Sequence, residues 1–341
     1  MKHLSNTIIG VLAIFTLVVI NTFNTPGALA ARPQSVTSPS SKGSGEALEI
    51  APPLLYLSAN PGQSIIAKIY LRDISSGPLY VSTTTDDFVA QGNSGAPKIL
   101  LNETSLDPYS LKNYVVPIQS LLLQPKQIKI LNFQINVPPN ASPGGHYGVI
   151  RFTATPPSLN GSSGVALSAS LGALILLTVN GHIVENLVVH QFNVAQSGQT
   201  GSFFQSAPLN FNELLSNTGN EHVVPTGLLT ITDMFGHKLA VMDINRSQGN
   251  VLPASSRLFT QTVNSNVIGN KRLFGRYTAS ISLLYGSSNK KLTATLVFWV
   301  IPWQEILILL IALIGGFFLL RWLIRRYNRH ILDKAKKSQS K

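Results

Sequence analysis

The chain has 341 residues, 44% hydrophobic and 12% charged, about half the roughly 25% charged share of a soluble domain, which excludes a disordered chain. Its 26 Lys and Arg against 14 Asp and Glu give a net charge of +12. The lack of cysteine excludes disulfides, thiolate nucleophiles, Cys-ligated zinc, iron–sulfur clusters and covalently attached haem.

The N-terminus places Lys2 before an apolar run over 8–20, then Ala28-Leu29-Ala30 ahead of Ala31. That is the order of a secretory signal peptide, with Ala28 and Ala30 as the small residues of an A-x-A site and cleavage after Ala30. An uncleaved anchor is the rival reading, but the apolar core is short for a span. Residues 31–45 are rich in Ser, Pro and Gly and cannot bury enough apolar surface to offset their ordering entropy, so a flexible leader is expected.

From residue 46 the pattern becomes short strands. Leu131, Phe133, Ile135 and Val137 alternate with Asn132, Gln134 and Asn136, and Ile65, Ala67, Ile69 and Leu71 alternate with Ile66, Lys68, Tyr70 and Arg72. Period two puts one face in a core and the other in water. Further strands are expected at 79–84, 147–155 and 165–179. A second set covers 183–194, 209–216, 227–233, 239–244, 256–263, 277–285 and 292–301. With no amphipathic helix between them, the fold class is all-β: two tandem immunoglobulin-like β-sandwich domains at 46–181 and 182–301. Asn180-Gly181 joins them without a long linker, which leaves little hinge freedom.

No catalytic constellation emerges. The histidines lack H-x-H or H-E-x-x-H spacing, so no metal centre is expected. Ser287 and Lys290, like Ser288 and Lys291, fit S-x-x-K but sit in what reads as a polar hairpin tip. Asp86-Asp87 is the one adjacent acidic pair; calcium binding competes with an ordinary strand-end loop. Gly144-Gly145-His146-Tyr147-Gly148 precedes a strand rather than a helix, so its glycines favour a tight turn or close packing over phosphate binding. Asn102, Asn140, Asn160 and Asn245 head N-x-S/T sequons, a mark of surface loops.

The run 306–320 is unbroken and apolar, flanked by Trp303 and Trp322, so 302–324 reads as one transmembrane helix. From Arg321 onward eight basic residues, including Arg325 and Arg326, face the single acid Asp333, whereas 31–320 carries 17 basic and 13 acidic residues. The charge is therefore a topology signal: 325–341 is a basic cytoplasmic tail, and the sandwiches lie outside. Trp303, Trp322, Arg321, Arg325 and Arg326 are the expected membrane-boundary anchors.

Signal peptide, two sandwiches, one span and a basic tail together resemble the WxL-interacting proteins of bacterial cell surfaces. The Asn60-Pro61-Gly62-Gln63 turn, Gly144 to Gly148, and the following Ile150 and Phe152 are similar to that family's peptidoglycan-binding domain. The resemblance implies a wall-glycan contact for the first domain and a protein ligand for the second. The expectation is a non-enzymatic, membrane-anchored cell-surface protein that contacts lipid through its helix. It would bind cell-wall glycan or surface proteins and need no cofactor and no nucleic acid. The alternative is a chaperone or scaffold for exported subunits acting by β-strand addition.

Overall fold

The computed structural model describes residues 48–101, 108–155, 169–269 and 271–339, with the side chains of the C-terminal helix described as far as Asn328. The expected signal peptide, with Ala28 and Ala30, and the 31–45 leader lie outside the described residues.

The first sandwich runs β1 (Leu48–Ala51), β2 (Leu54–Ala59), β3 (Ser64–Asp73), β4 (Leu79–Ala90), β5 (Pro97–Leu100), β6 (Leu121–Leu123), β7 (Ile128–Asn136), β8 (Gly144–Thr155) and β9 (Ala169–Val179). One sheet has the order β1-β3-β7; the other has β2-β9-β8-β4-β5, with β6 also on β4. β2 pairs with β9 in parallel, while β8 and β9 are antiparallel. The alternation in β3 decides its facing: Ala67, Ile69 and Leu71 are buried and Ile66, Lys68, Tyr70 and Arg72 turn outward. They meet Phe133, Ile135, Phe152, Ile175 and Leu177 in one core.

The second sandwich contains β10 (Leu187–Gln196), β11 (Gln199–Gly201), β12 (Phe203–Phe204), β13 (Leu209–Asn217), β14 (Thr226–Asp233), β15 (Lys238–Ile244), β16 (Ser255–Val263), β17 (Gly275–Tyr285) and β18 (Lys290–Val300). Its sheets are β11-β10-β13-β16 and β12-β18-β17-β14-β15. Phe211, Leu229, Ile281, Leu283 and Phe298 fill a separate core. Both sandwiches thus bury apolar inner faces of mainly antiparallel sheets, the packing that makes an immunoglobulin-like all-β fold.

Strand β8 breaks the one-sided pattern, because residues 144–150 are all buried. Tyr147 and Val149 turn away from the main core and join Phe88 and Leu176 in a third cluster, against which Leu252 of the second sandwich packs. The outer face of this sheet is therefore where the two sandwiches meet. After β18, Ile301 and Pro302 lead into α1 (Trp303–Gln339). Its segment Trp303–Asn328 is apolar and 26 residues long, about 39 Å at 1.5 Å per residue and enough to cross a bilayer.

A candidate strand-docking edge and the joint beside it

An edge strand exposes a row of unpaired backbone donors and acceptors, and proteins blunt such rows with shortness, Lys, Pro or a covering segment. Most edges here are treated in one of these ways. β1 has four residues and carries Glu49; β5 carries Pro97 and Lys98; β6, β11 and β12 have three residues or fewer. β15 begins at Lys238. β16 is met from the first sandwich, where the Asn93 carbonyl accepts from the Leu258 N–H at 2.8 Å. β7 carries Lys129, and its far end is closed where the Val116 N–H donates to the Gln134 carbonyl at 2.9 Å. Between these points a groove of about 460 Å³ separates β7 from Pro117 and Ile118.

β2, the six-residue end strand of its sheet, carries neither charge nor proline, and the first half of β9 beside it is a second departure. β2 meets β9 only from Leu174 onward, because the chain crosses from one sheet to the other at Ala51-Pro52-Pro53, between β1 and β2. The Leu174 N–H donates to the Pro53 carbonyl at 2.9 Å, which identifies the side of β9 facing β2. By strand alternation the N–H and C=O groups of Gly172 and Ser170 point the same way, and among the described residues no strand is hydrogen-bonded to them on that side, although β1 passes close to β9. Residues 169–173 contain neither charge nor proline. Gly172 is exposed, and a Cβ built on it would come within 2.9 Å of Val149 Cγ2. The missing side chain therefore leaves room for Val149 of β8.

Opposite Gly172 in the register is Arg151 of β8. Its guanidinium donates to the Asp86 carboxylate at 2.9 Å, with Asp86 almost fully buried. Asp87 turns the other way and accepts from Ser110 Oγ (2.6 Å) and from the Leu111 and Lys112 N–H groups (2.9 and 2.8 Å). It thereby holds the start of the single helical turn Lys112–Tyr114. The adjacent acids do not converge on one point: one orients an arginine and the other caps a turn.

The glycine-rich segment lies in the joint. Gly144 has φ +118°, and a Cβ there would strike the Asn220 carbonyl of the second sandwich. The Gly145 N–H donates to that carbonyl at 2.8 Å. The Asn220 amide in turn donates to the Pro143 and His182 carbonyls, and its oxygen accepts from the Val184 N–H. Tyr56 stacks on His222 at 5.7 Å, and its hydroxyl accepts from Asn250. Tyr147 also meets His222, and burial, reinforced by Glu221, keeps its hydroxyl protonated far above the usual tyrosine range. His146, buried, sets its two ring nitrogens against the Ser110 and Ser142 carbonyls. The histidines of this region are thus structural in their contacts.

No family model matches the chain, and no curated protein matches it. Similar solved structures include the class 5 fimbriae chaperone CfaA, at 15% identity and TM-score 0.37, over 74% of this chain and 99% of that one. The E. coli chaperone DraB has 13% identity and TM-score 0.35, over 75% and 98%. A complex of Salmonella enterica SafA pilin with the SafB chaperone has 12% identity and TM-score 0.35, over 74% and 97%. At these values the likeness carries no inference about activity.

Of the residues singled out in the sequence, Trp303, Arg321, Trp322, Arg325 and Arg326 all lie on α1 with exposed side chains. The Arg326 guanidinium lies over the Trp322 ring at 5.3 Å. The Ser287 N–H and hydroxyl donate to the Glu185 carboxylate, and Lys290 Nζ to the Glu185 carbonyl, so these residues tie a hairpin turn to the inter-sandwich connection. Asn102 and Asn160 lie outside the described residues. Asn245 departs from the surface-loop expectation: it is 6% exposed, with its amide donating to the Pro225 and Gly249 carbonyls. Ser170 and Gly172 were not legible as a site, since an open edge depends on where a distant strand stops.

Proposed function

We propose that the chain is an exported, membrane-anchored binding protein that takes up an extended segment of another exported protein by strand addition at residues 169–173 of β9. The observation that carries this reading is the half-edge, left unladdered among the described residues, where the chain crosses between sheets before β2. An incoming strand would find the outward N–H and C=O groups of Ser170 and Gly172 in the two-residue repeat that β pairing uses. A scaffold or chaperone for surface subunits is the role such an edge serves. Of the two partner classes expected from the sequence, the edge favours protein over wall glycan, because its unmet groups are spaced for another backbone. α1 and the basic tail beyond it would hold the sandwiches on the outer side of the membrane.

The test uses full-length protein in nanodiscs and a panel of synthetic nine-residue peptides with alternating apolar side chains. The Ser170 N–H points away from β8, so Ser170→Pro removes a docking donor without removing a sheet bond. Wild-type protein should bind members of the panel and Ser170→Pro should bind them at least about tenfold more weakly, the equivalent of one to two lost hydrogen bonds. An unchanged melting temperature shows that the variant is folded. Equal binding by both proteins, or binding to purified peptidoglycan alone, would overturn the reading.

A further inference from the structure

β18 ends at Val300 and α1 begins at Trp303. The three residue steps from Val300 to Trp303 span at most about 11 Å, so this end of the second sandwich is held close to the entry of the apolar helix. The strand register defines what else lies here. Gly275 pairs with Val300, Asp233 with Tyr277, and Phe203 with Trp299. The turn at 233–238, the entry to β17 and the short strand β12 therefore share one end of the sandwich.

That end is built against the usual chemistry of water-facing turns. Phe235 is 78% exposed, Phe203 71% and Phe274 63%, with Met234 and Trp299 also open. The turn holds Phe235 out by design of its backbone: Asp233 Oδ1 accepts from the Phe235 and His237 N–H groups, each at 2.9 Å. Around these rings stand the exposed cations Lys238, Lys271 and Arg276, which have no carboxylate partner among the described residues. Arg272 pairs with Glu305 in the first turn of α1, tying the loop before β17 to the helix. Aromatic and thioether side chains ringed by Lys and Arg match the layered chemistry of a bilayer surface, with acyl chains beneath and phosphates above.

The geometry points to a second membrane contact. The α1-proximal end of the second sandwich rests in the interfacial layer of the bilayer that α1 crosses, with Phe203, Met234, Phe235 and Phe274 below the headgroups and Lys238, Lys271 and Arg276 at the phosphates. The occupant is lipid rather than a protein because the patch is continuous with the Trp303 end of the span and is tethered to it by two residues. The inference rests on the reading of α1 as a transmembrane helix. Its consequence is that the ectodomain is seated on the membrane rather than swinging from a leash.

The absence of cysteine makes the test direct. Four full-length single-cysteine variants, Phe235→Cys, Phe274→Cys, Leu313→Cys and Ser287→Cys, are labelled with an environment-sensitive fluorophore. They are reconstituted in phosphatidylethanolamine/phosphatidylglycerol vesicles carrying shallow or deep spin-labelled lipid. Labels at 235 and 274 should be blue-shifted and quenched by the shallow lipid, and the label at 313 by the deep one. The label at 287, at the far end of β18 and about 33 Å away along the strand, should respond to neither. Water-exposed, unquenched labels at 235 and 274 beside a quenched label at 313 would overturn the seating alone. Labels there that are shielded yet indifferent to spin-labelled lipid would overturn it in favour of a protein contact. An unquenched label at 313 would overturn the span on which it rests.

Discussion

Glu213 of β13 points into the core of the second sandwich and faces the Gln261 side chain of the neighbouring strand β16. With the Gln261 amide nitrogen turned toward the carboxyl, it donates to Glu213 Oε1 at 2.9 Å. Glu213 occupies the inward register between Phe211 and Leu215 and is fully buried. Burial pushes its carboxyl up from 4.5 to about 8, because the low-dielectric core penalises the charged form.

The second sandwich should accordingly lose stability as pH rises. Below 4.5 Glu213 is protonated in both folded and unfolded chains and imposes no ionisation penalty. Between 4.5 and about 8 the unfolded chain ionises while the folded one holds its proton, so stability is lost progressively through that window, by an amount on the order of 5 kcal/mol in all. Urea midpoints at pH 5 and pH 8.5 check this, and Glu213→Gln should flatten the difference. A steep loss that persists in Glu213→Gln would assign it to another group.

Asn220→Ala removes two donated bonds and one accepted bond across the connection between the sandwiches. It should cost about 1–3 kcal/mol and loosen the joint more than either core. Hydrogen exchange should then rise at Gly145 and Val184 while amides inside β13 and β17 stay protected. Uniform protection at the joint would contradict the role given to Asn220.

Asp87→Ala strips three hydrogen bonds from Ser110, Leu111 and Lys112, the residues that lead into the turn Lys112–Tyr114, and a cost of about 2–4 kcal/mol is expected for an acceptor at a buried site. Because Asp86 is engaged by Arg151 and Asp87 by this turn, addition of calcium or of a chelator should leave the melting temperature unchanged. A calcium-dependent rise would mean that the pair reorganises around an ion.

Alternation in β9 gives a residue-level expectation for native-state hydrogen exchange. The amides of Ser170 and Gly172 should exchange rapidly, whereas those of Leu171 and Ala173, directed at β8, should be slow. Addition of a bound strand should slow the first pair and leave the second unaltered. Slow exchange at Gly172 in the unbound protein would mean that its N–H is already paired.

The long strands were legible in the chain itself, because a sandwich strand with one wet face must alternate. Leu131 to Val137 and Ile65 to Leu71 do so, and they became β7 and β3. The apolar helix was legible for a similar reason: its apolar residues run without a break, so 306–320 carries its whole signal in composition. Short strands such as β5, β6, β11 and β12 were not, since two to four residues hold no period and their pairing comes from neighbours distant in sequence. Glu213 left a trace, an acid at an inward position of the alternating series Leu209, Phe211 and Leu215, but only the facing sheet makes it buried. Asp86 and Asp87 look like a single acidic site in one dimension; the pleat sends them to opposite sides. Gly144 signals freedom of backbone, yet the need for it comes from the Asn220 carbonyl 76 positions away. The half of β9 that no described strand ladders belongs wholly to tertiary structure, because its pairing depends on where β1 and β2 part company at Ala51-Pro52-Pro53, and backbone hydrogen bonds between remote strands leave no mark on the residues that lack them.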